Sequence, residues 1–288
     1  LKQLQLHERW RDAGVNATIG LGSTPGLTNI AGAAGAAKLD KVDTIDIYCT
    51  WGNTLPMKEP GWPGYSIRTV MDEFTQEPVM WLDGKHVKLP VLSGETTVSM
   101  QDPIGKITAC YVKHSEPATM GKYIGKGCRN VTFRIGFPST DLATFKTLKS
   151  LGFADTTEIP IGGARICPLD YLTAMYQIAI SKSRSEPQPC EEYEYDAFRI
   201  DIFGLRGKSP ATVKYHIITW NDPEGGLSSA RDTAVPPSVI SQWQGTGKIR
   251  AAGVFPPEAV VDAAPFFTEV AKRKIRIEEY FTETRKFY

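Results

Sequence analysis

No apolar run in this 288-residue chain approaches the ~18 residues a membrane-spanning helix needs, and no basic-then-apolar segment opens it as a secretion signal would. Charge of one sign is lacking too. Its 33 basic and 32 acidic residues leave a formal charge of +1, which excludes the electrostatic footprint of a nucleic-acid binder or a protein of anionic membrane surfaces. The five cysteines (Cys49, Cys110, Cys128, Cys167, Cys190) are odd in number and never closely spaced, so neither a disulfide framework nor a zinc knuckle is expected, and a reducing cytoplasm fits best. Histidines and cysteines nowhere take metal-ligand spacing, so no metal site is expected. There is no Gly-x-Ser-x-Gly elbow. Gly204-Leu-Arg-Gly-Lys-Ser209 misplaces the first glycine of a phosphate loop, and Pro210 blocks the helix start such a loop requires; it reads as a hairpin turn.

What is present is an ordinary globular composition, 41% hydrophobic and 23% charged, enough for one sizeable domain or slightly more. The most informative stretch is Ala17-Thr-Ile-Gly-Leu-Gly-Ser-Thr-Pro-Gly-Leu-Thr-Asn29-Ile, followed by alanines and glycines to Ala37. A short apolar strand, 17–21, runs into Gly22, Ser23 and Thr24; Pro25 is expected at the first helical position, and a small-residue helix follows. Such a turn aims a helix N-terminus at polar or anionic ligand groups, and small side chains allow close approach. A Rossmann pyrophosphate site is disfavoured, because Pro25 stands where the third glycine belongs and Asp46 falls inside a strand instead of at its tip.

Residues 1–13 read as an amphipathic helix stopped by Gly14. Helix and strand together look like the last unit of a doubly wound domain whose earlier units are missing, hence a truncated chain. Beyond Lys38 strands dominate. They are expected at 42–51, 107–114 and 131–137, with a hairpin over 79–82 and 86–89 around Asp83-Gly84, and a second hairpin over 198–204 and 213–219. Residues 65–74 are a strand or short helix; 56–64 and 186–194 are loops. Helices are expected from Ser139 or Thr140 to Gly152, from Pro168 with Leu169, Leu172, Met175 and Tyr176 inward, from Pro237, and around Phe266, Phe267 and Val270. The fold class is therefore α+β: a mixed, mostly antiparallel sheet with helices on one face, preceded by the last strand-helix unit of a truncated Rossmann fold.

Four segments carry a family resemblance: Gly22-Ser-Thr-Pro-Gly-Leu-Thr-Asn29, Gly64-Tyr-Ser-Ile-Arg-Thr-Val-Met-Asp72-Glu73, His114-Ser-Glu-Pro-Ala-Thr119 and Gly253-Val-Phe-Pro-Pro-Glu258. In that order they resemble the C-terminal part of the saccharopine dehydrogenase family, whose superfamily also holds lysine 6-dehydrogenase and carboxynorspermidine dehydrogenase. The resemblance implies an oxidoreductase of lysine metabolism that passes hydride between a carbon bearing an amine and NAD or NADP. It implies an amino-acid substrate and a homodimer. The family's N-terminal nucleotide-binding segment is absent, so the chain alone should bind little dinucleotide. The implied division is 1–38 as a Rossmann remnant, 39–235 as the substrate-binding and dimerisation domain, and 236–288 as a helical segment packing back on the Rossmann side. Lysine 6-dehydrogenase is the alternative within chemistry, and a non-catalytic interaction module the alternative of another class.

The candidate residues follow. Ser23, Pro25, Gly26, Thr28 and Asn29 are the cofactor-side candidates; the Asn29 amide could hold a nicotinamide carboxamide or a substrate carboxylate, or simply bond backbone. Tyr65, Ser66, Arg68 and Thr69 are substrate-side candidates, the Arg68 guanidinium being suited to a carboxylate unless it pairs with Asp72 or Glu73 on the surface. His114 and Glu116, two apart and hence on one face of an extended strand, are the catalytic candidates. An imidazole held by a carboxylate could take an ammonium proton or activate water, although such a pair is also a common structural bond. Cys110 lies too far along the strand to act with His114.

Overall fold

The computed structural model describes residues 2–55, 65–183 and 193–284. Among them, nine strands form one sheet. Its main path runs Ile275–Glu283, Ser209–Trp220, Glu194–Arg206, Lys41–Asn53, Asn130–Gly136, Val79–Leu82, Lys85–Lys88. Lys106–Tyr111 also pairs with Asn130–Gly136, and Thr96–Ser99 with Lys106–Tyr111. Every pairing is antiparallel except that of Lys41–Asn53 with Asn130–Gly136. The mostly antiparallel α+β architecture expected from the sequence is what forms.

Alternation explains the sheet. In Glu194–Arg206, Phe198, Ile200 and Ile202 point to the helix-covered face and are fully or almost fully buried; Ile47 lies opposite Ile200 and Ile217 opposite Phe198. Each such side chain contributes about 1.5–3 kcal/mol on burial. The opposite face is partly covered, by the Thr96–Ser99 and Lys106–Tyr111 strands, with Val98, Met100 and Ala109 packed on Tyr48, Ala197 and Ile218.

Helix Thr28–Ala37 lies on the inner face. Its small residues serve that packing: a Cβ on Gly35 would meet Ile202 Cδ1 at 2.6 Å. The strand expected at 17–21 is shorter, Asn16–Thr18, and pairs in parallel with Gly253–Phe255 apart from the large sheet. Helical turns at Gln3–Leu6 and His7–Asp12 precede it.

Several boundaries differ from expectation for identifiable reasons. Residues 67–75 form a helix, Ile67–Thr75, with Ile67, Val70, Met71 and Phe74 buried at helical spacing. The helix expected from Pro237 begins at Ser228 and carries Pro236 and Pro237 inside, held by the burial of Val239, Ile240 and Trp243. Met175, expected inward, is exposed, while Leu169 and Tyr176 are buried. Strand Ile275–Glu283 was not anticipated: its outer half is exposed, so its alternation is weak. The loop expected at 56–64 and residues 186–192 of the loop expected at 186–194, with Cys190, lie outside the described residues; Glu194, expected in that loop, opens strand Glu194–Arg206.

Candidate active site

The segment 22–29 folds more sharply than a proline-headed helix. Pro25 is extended (φ −72°, ψ 160°), Gly26 has φ +131°, and the helix starts at Thr28; Pro25 is not its first residue. Only glycine tolerates that φ cheaply, and a Cβ there would sit 3.1 Å from Leu21 Cα. The extra bend is held by the Leu27 N–H donating to Gly22 O at 2.9 Å and the Gly26 N–H donating to Asn29 Oδ1 at 3.0 Å. It brings the hydroxyls of Thr24 and Thr28 to one point.

That point is Glu116. The strand Lys106–Tyr111 ends before His114, and Glu116 opens helix Glu116–Tyr123. His114 and Glu116 therefore meet around a turn, not across one face of a strand. The Glu116 side chain has no exposed surface; it accepts hydrogen bonds from Thr24, from Thr28 at 2.8 Å, and pairs with His114 Nδ1. Burial pushes its carboxyl upward, but the His114 charge and these hydrogen bonds more than offset that and hold it below the usual carboxylate value. Burial likewise disfavours the imidazolium, yet the Glu116 charge and hydrogen bond, with Glu73 adding, raise the His114 pKa above 6.5. The imidazole stacks on Phe133 with centroids 3.9 Å apart, which fixes the ring plane. With Nδ1 engaged, Nε2 is the nitrogen left to exchange a proton.

Two carboxyls flank this pair, and sequence reasoning named neither as a site residue. Glu73 accepts the Tyr65 hydroxyl at 2.9 Å, and burial pushes it up to about 7 against the opposing pull of Tyr65 and His114. Glu258, in the Gly253–Glu258 segment, accepts from Asn29 Nδ2 at 3.0 Å; burial also pushes it up to about 7, opposed by Thr119 and Asn29. Their signal in sequence is an acid among apolar neighbours at helical spacing, which does not distinguish a buried acid from an exposed one.

The candidates are thus sorted. Thr28, Asn29, His114 and Glu116 come together, with Pro25 and Gly26 shaping the bend. Ser23 instead reaches Thr233, Oγ to Oγ1 3.4 Å. Tyr65 stands behind the cluster through Glu73 and packs edge-on against Trp51, centroids 5.9 Å apart. Ser66 and Thr69 face solvent. Arg68 is exposed and paired with Asp170 of helix Pro168–Ser183, not with Asp72 or Glu73, and takes no part in the cluster. Cys110 is apart as well, donating weakly to Ile135 O.

A cleft of about 100 Å³ opens beside the cluster, lined by Ile19, Gly20, Pro25, Asn29, Ser115 and Thr119. A larger one, about 380 Å³, on Trp81, His86, Lys122 and Tyr123, includes none of the cluster and is set aside on chemistry. Among the described residues no group of three His, Cys, Asp or Glu could hold a metal ion, and no helix is long and apolar enough to cross a membrane.

The saccharopine dehydrogenase C-terminal domain matches residues 22–275. The chain belongs to that family. Among solved structures, it is similar to apo histidine-tagged saccharopine dehydrogenase (L-Glu forming) from Saccharomyces cerevisiae, with a TM-score of 0.68 at 15% identity over 96% of this chain and 76% of that one. At that identity the likeness is one of fold. The family is one of oxidoreductases.

The cofactor implied by such a family can be tested against these residues. A pyrophosphate fits poorly here: the Gly26 N–H is engaged by Asn29, and the negative Glu116 already lies against the helix start at Thr28. The cleft wall of Pro25, Ser115 and Thr119 carries no charged side chain and suits a flat amide-bearing ring better than a phosphate.

Proposed function

We propose that this chain supplies the substrate side of an NAD(P)-dependent oxidoreductase acting on the CH–NH group of an amino acid, with His114 as proton acceptor. The single observation that carries this reading is the fully buried Glu116, which holds His114 by Nδ1 while the hydroxyls of Thr24, in the bend, and Thr28, at the start of the helix after it, fix the carboxylate. Burying this charged pair costs several kcal/mol of desolvation, and its position beside the cleft favours a role in chemistry over a non-catalytic module.

In the oxidative direction the carbon loses hydride and the nitrogen loses a proton, leaving an imine. NAD(P), when bound, takes the hydride. His114 Nε2 receives the proton, and Glu116 stabilises the imidazolium so formed. Once that proton has passed to solvent, the neutral imidazole takes one proton from the water that adds to the imine carbon and gives it to nitrogen, and the hydroxyl proton of the carbinolamine follows it to nitrogen as the C–N bond breaks to leave carbonyl and free amine. Glu73 and Glu258, both near 7, are groups through which protons can pass onward from the cluster at neutral pH.

Pro25, Ser115 and Thr119 are the residues placed to hold the nicotinamide end. The parallel pair Asn16–Thr18 and Gly253–Phe255, separate from the main sheet, is where a nucleotide-binding sheet would continue. The edge strand Ile275–Glu283, with Tyr280 and Phe281 exposed, supports a second copy of the chain as partner.

The test is a screen of amino acids and N-substituted amino acids with both nucleotides, run on the chain joined to the nucleotide-binding part that this reading requires, and read as formation of reduced nucleotide. Turnover of an amine-bearing amino acid that is lost in His114→Asn is the expected result. Turnover surviving that substitution within about threefold would remove His114 from the chemistry.

A further inference from the structure

The larger cleft, on Trp81 and Lys122, contributes nothing to the relay. It lies between the hairpin of Val79–Leu82 and Lys85–Lys88, helix Glu116–Tyr123 and the turn Gln3–Leu6, and its volume of about 380 Å³ falls in the range of small-molecule sites. Trp81 and His86 stand directly opposite each other on the hairpin, ring centroids 5.0 Å apart and planes at 73°. The indole is held from two sides. Its Nε1–H donates to Cys128 O at 3.1 Å, and one ring face lies against Gly121, where a Cβ would come within 2.5 Å of three ring atoms. Trp81 is thus a fixed aromatic plate, and it remains partly exposed in the cleft. A flat ring that stacks on it meets a surface already ordered, so little freedom is lost on binding.

The charge in the cleft has one sign. Lys122 follows Ala118 by one helical turn and is exposed; among the described residues it has no carboxylate at ion-pair distance, and its ammonium stands 5.9 Å from the centroid of the Tyr123 ring. No acidic side chain lines the cleft. The acid that Tyr123 senses, Glu258, is bonded to Asn29 and lines neither wall here.

These features select a ligand. Lys122 would repel a cation, and a multiply charged phosphate would meet a single fixed positive charge, too little to replace its water. An aromatic ring bearing one carboxylate satisfies both parts of the cleft: the ring stacks on Trp81, and the carboxylate accepts a charge-assisted hydrogen bond from Lys122, with the His86 imidazole as a second donor.

We infer that this cleft is a binding site for a small aromatic carboxylate, separate from the reacting centre. Lys122 lies six residues along the helix from Glu116, about 9 Å at the ~1.5 Å rise per residue, so a carboxylate held there is not the group that reacts at His114. Leu4 and Ala118 line both this cleft and the one beside Asn29, so the two adjoin through a shared wall. The inference does not depend on the dehydrogenase reading, because no residue of the proposed chemistry lines the cleft.

Calorimetric titration of the 288-residue protein without nucleotide tests it. The probe is indole-3-acetate. Tryptophol, which has the same ring with a hydroxyl in place of the carboxylate, tryptamine and cyclohexylacetate are the comparisons. Saturable binding of indole-3-acetate with a Kd of about 1 mM or tighter is expected. Tryptophol should bind about three- to tenfold more weakly, cyclohexylacetate about tenfold more weakly for want of stacking, and tryptamine not measurably. Lys122→Met keeps the apolar stem and removes the charge; it should lower the affinity for indole-3-acetate about three- to tenfold and leave that for tryptophol unchanged. His86→Ala should weaken indole-3-acetate about two- to fivefold, and His114→Asn should leave it unchanged. Lys122 and His86 are both exposed, so neither substitution disturbs the fold. Equal affinity of the wild type and Lys122→Met for indole-3-acetate, tryptamine bound as tightly as the acid, loss of binding in His114→Asn, or no saturable binding by the folded wild type overturns the site.

Discussion

Replacing Glu116 by Gln keeps shape and volume and removes one buried charge. The wild-type carboxylate is held by Thr24, Thr28 and His114, with no exposure to water that could take over these bonds. The two shifts define a pH window. His114 is raised, so the stability it contributes is fully present below its unfolded value near 6.5 and is lost as pH rises through the folded pKa. Glu116 is lowered, so its contribution is present above its unfolded value near 4.5 and is lost as pH falls through the folded pKa. Between those values both partners are charged and the pair is strongest. There, around pH 5.5, Glu116→Gln should cost about 3–5 kcal/mol, the usual cost of breaking a buried pair. Well above the raised imidazole pKa, His114 is neutral in both proteins, and the substitution loses only the charge-assisted part of the hydroxyl bonds, about 1–2 kcal/mol. Urea-denaturation midpoints followed by fluorescence of the six tryptophans supply the assay. The destabilisation should shrink by about 2 kcal/mol or more between the two conditions. An equal cost at both pH values would refute the argument that a charged His114–Glu116 pair holds the bend.

Gly26→Ala should destabilise by about 2–3 kcal/mol, since φ +131° and the 3.1 Å approach to Leu21 Cα leave a methyl no room; denaturant midpoints check it. Glu73 has its pKa raised from 4.5 to about 7, so the folded state keeps a proton that the unfolded state releases, and stability falls as pH rises between those values, by at most ~3 kcal/mol. Glu73→Gln should flatten that part of the stability profile; an unchanged profile would show that Glu73 is ionised in the fold. Arg68→Ala should change stability by less than ~1 kcal/mol and substrate KM by less than about twofold, because the side chain is exposed and its partner is Asp170 on the surface. A large rise in KM alone would restore Arg68 to the substrate site.

The sheet was legible because its central strands alternate: Phe198, Ile200 and Ile202 against Val213, Tyr215 and Ile217 announce their face and their hairpin. The last strand was not, because at an edge only Ile275 and Ile277 need be apolar and in register with the core. Pro25 misled as a helix marker, since its φ suits a first turn equally well in extended backbone; Gly26 decided the matter, and sequence alone does not give the sign of a glycine φ. The pairing of His114 with Glu116 was visible from their types and closeness in sequence, though a turn and not a strand face makes it, while their support was not. Thr24, Thr28, Asn29 and Glu258 are brought in from segments 88 to 229 residues apart in sequence by the packing of helix Thr28–Ala37, and no local pattern encodes that. Arg68 looked like a carboxylate clamp by chemistry, and helix geometry turned it outward.

The dependence of kcat/KM on pH for amine oxidation, in the wild type and in His114→Asn, tests the central claim most directly. A base held by Glu116 must lose its proton before it can accept one from the substrate, so the wild-type rate should rise with pH through a midpoint above 6.5, and that limb should vanish in His114→Asn together with a fall of about 10²–10⁴-fold in rate. An acid limb that persists unchanged in the variant would contradict the account.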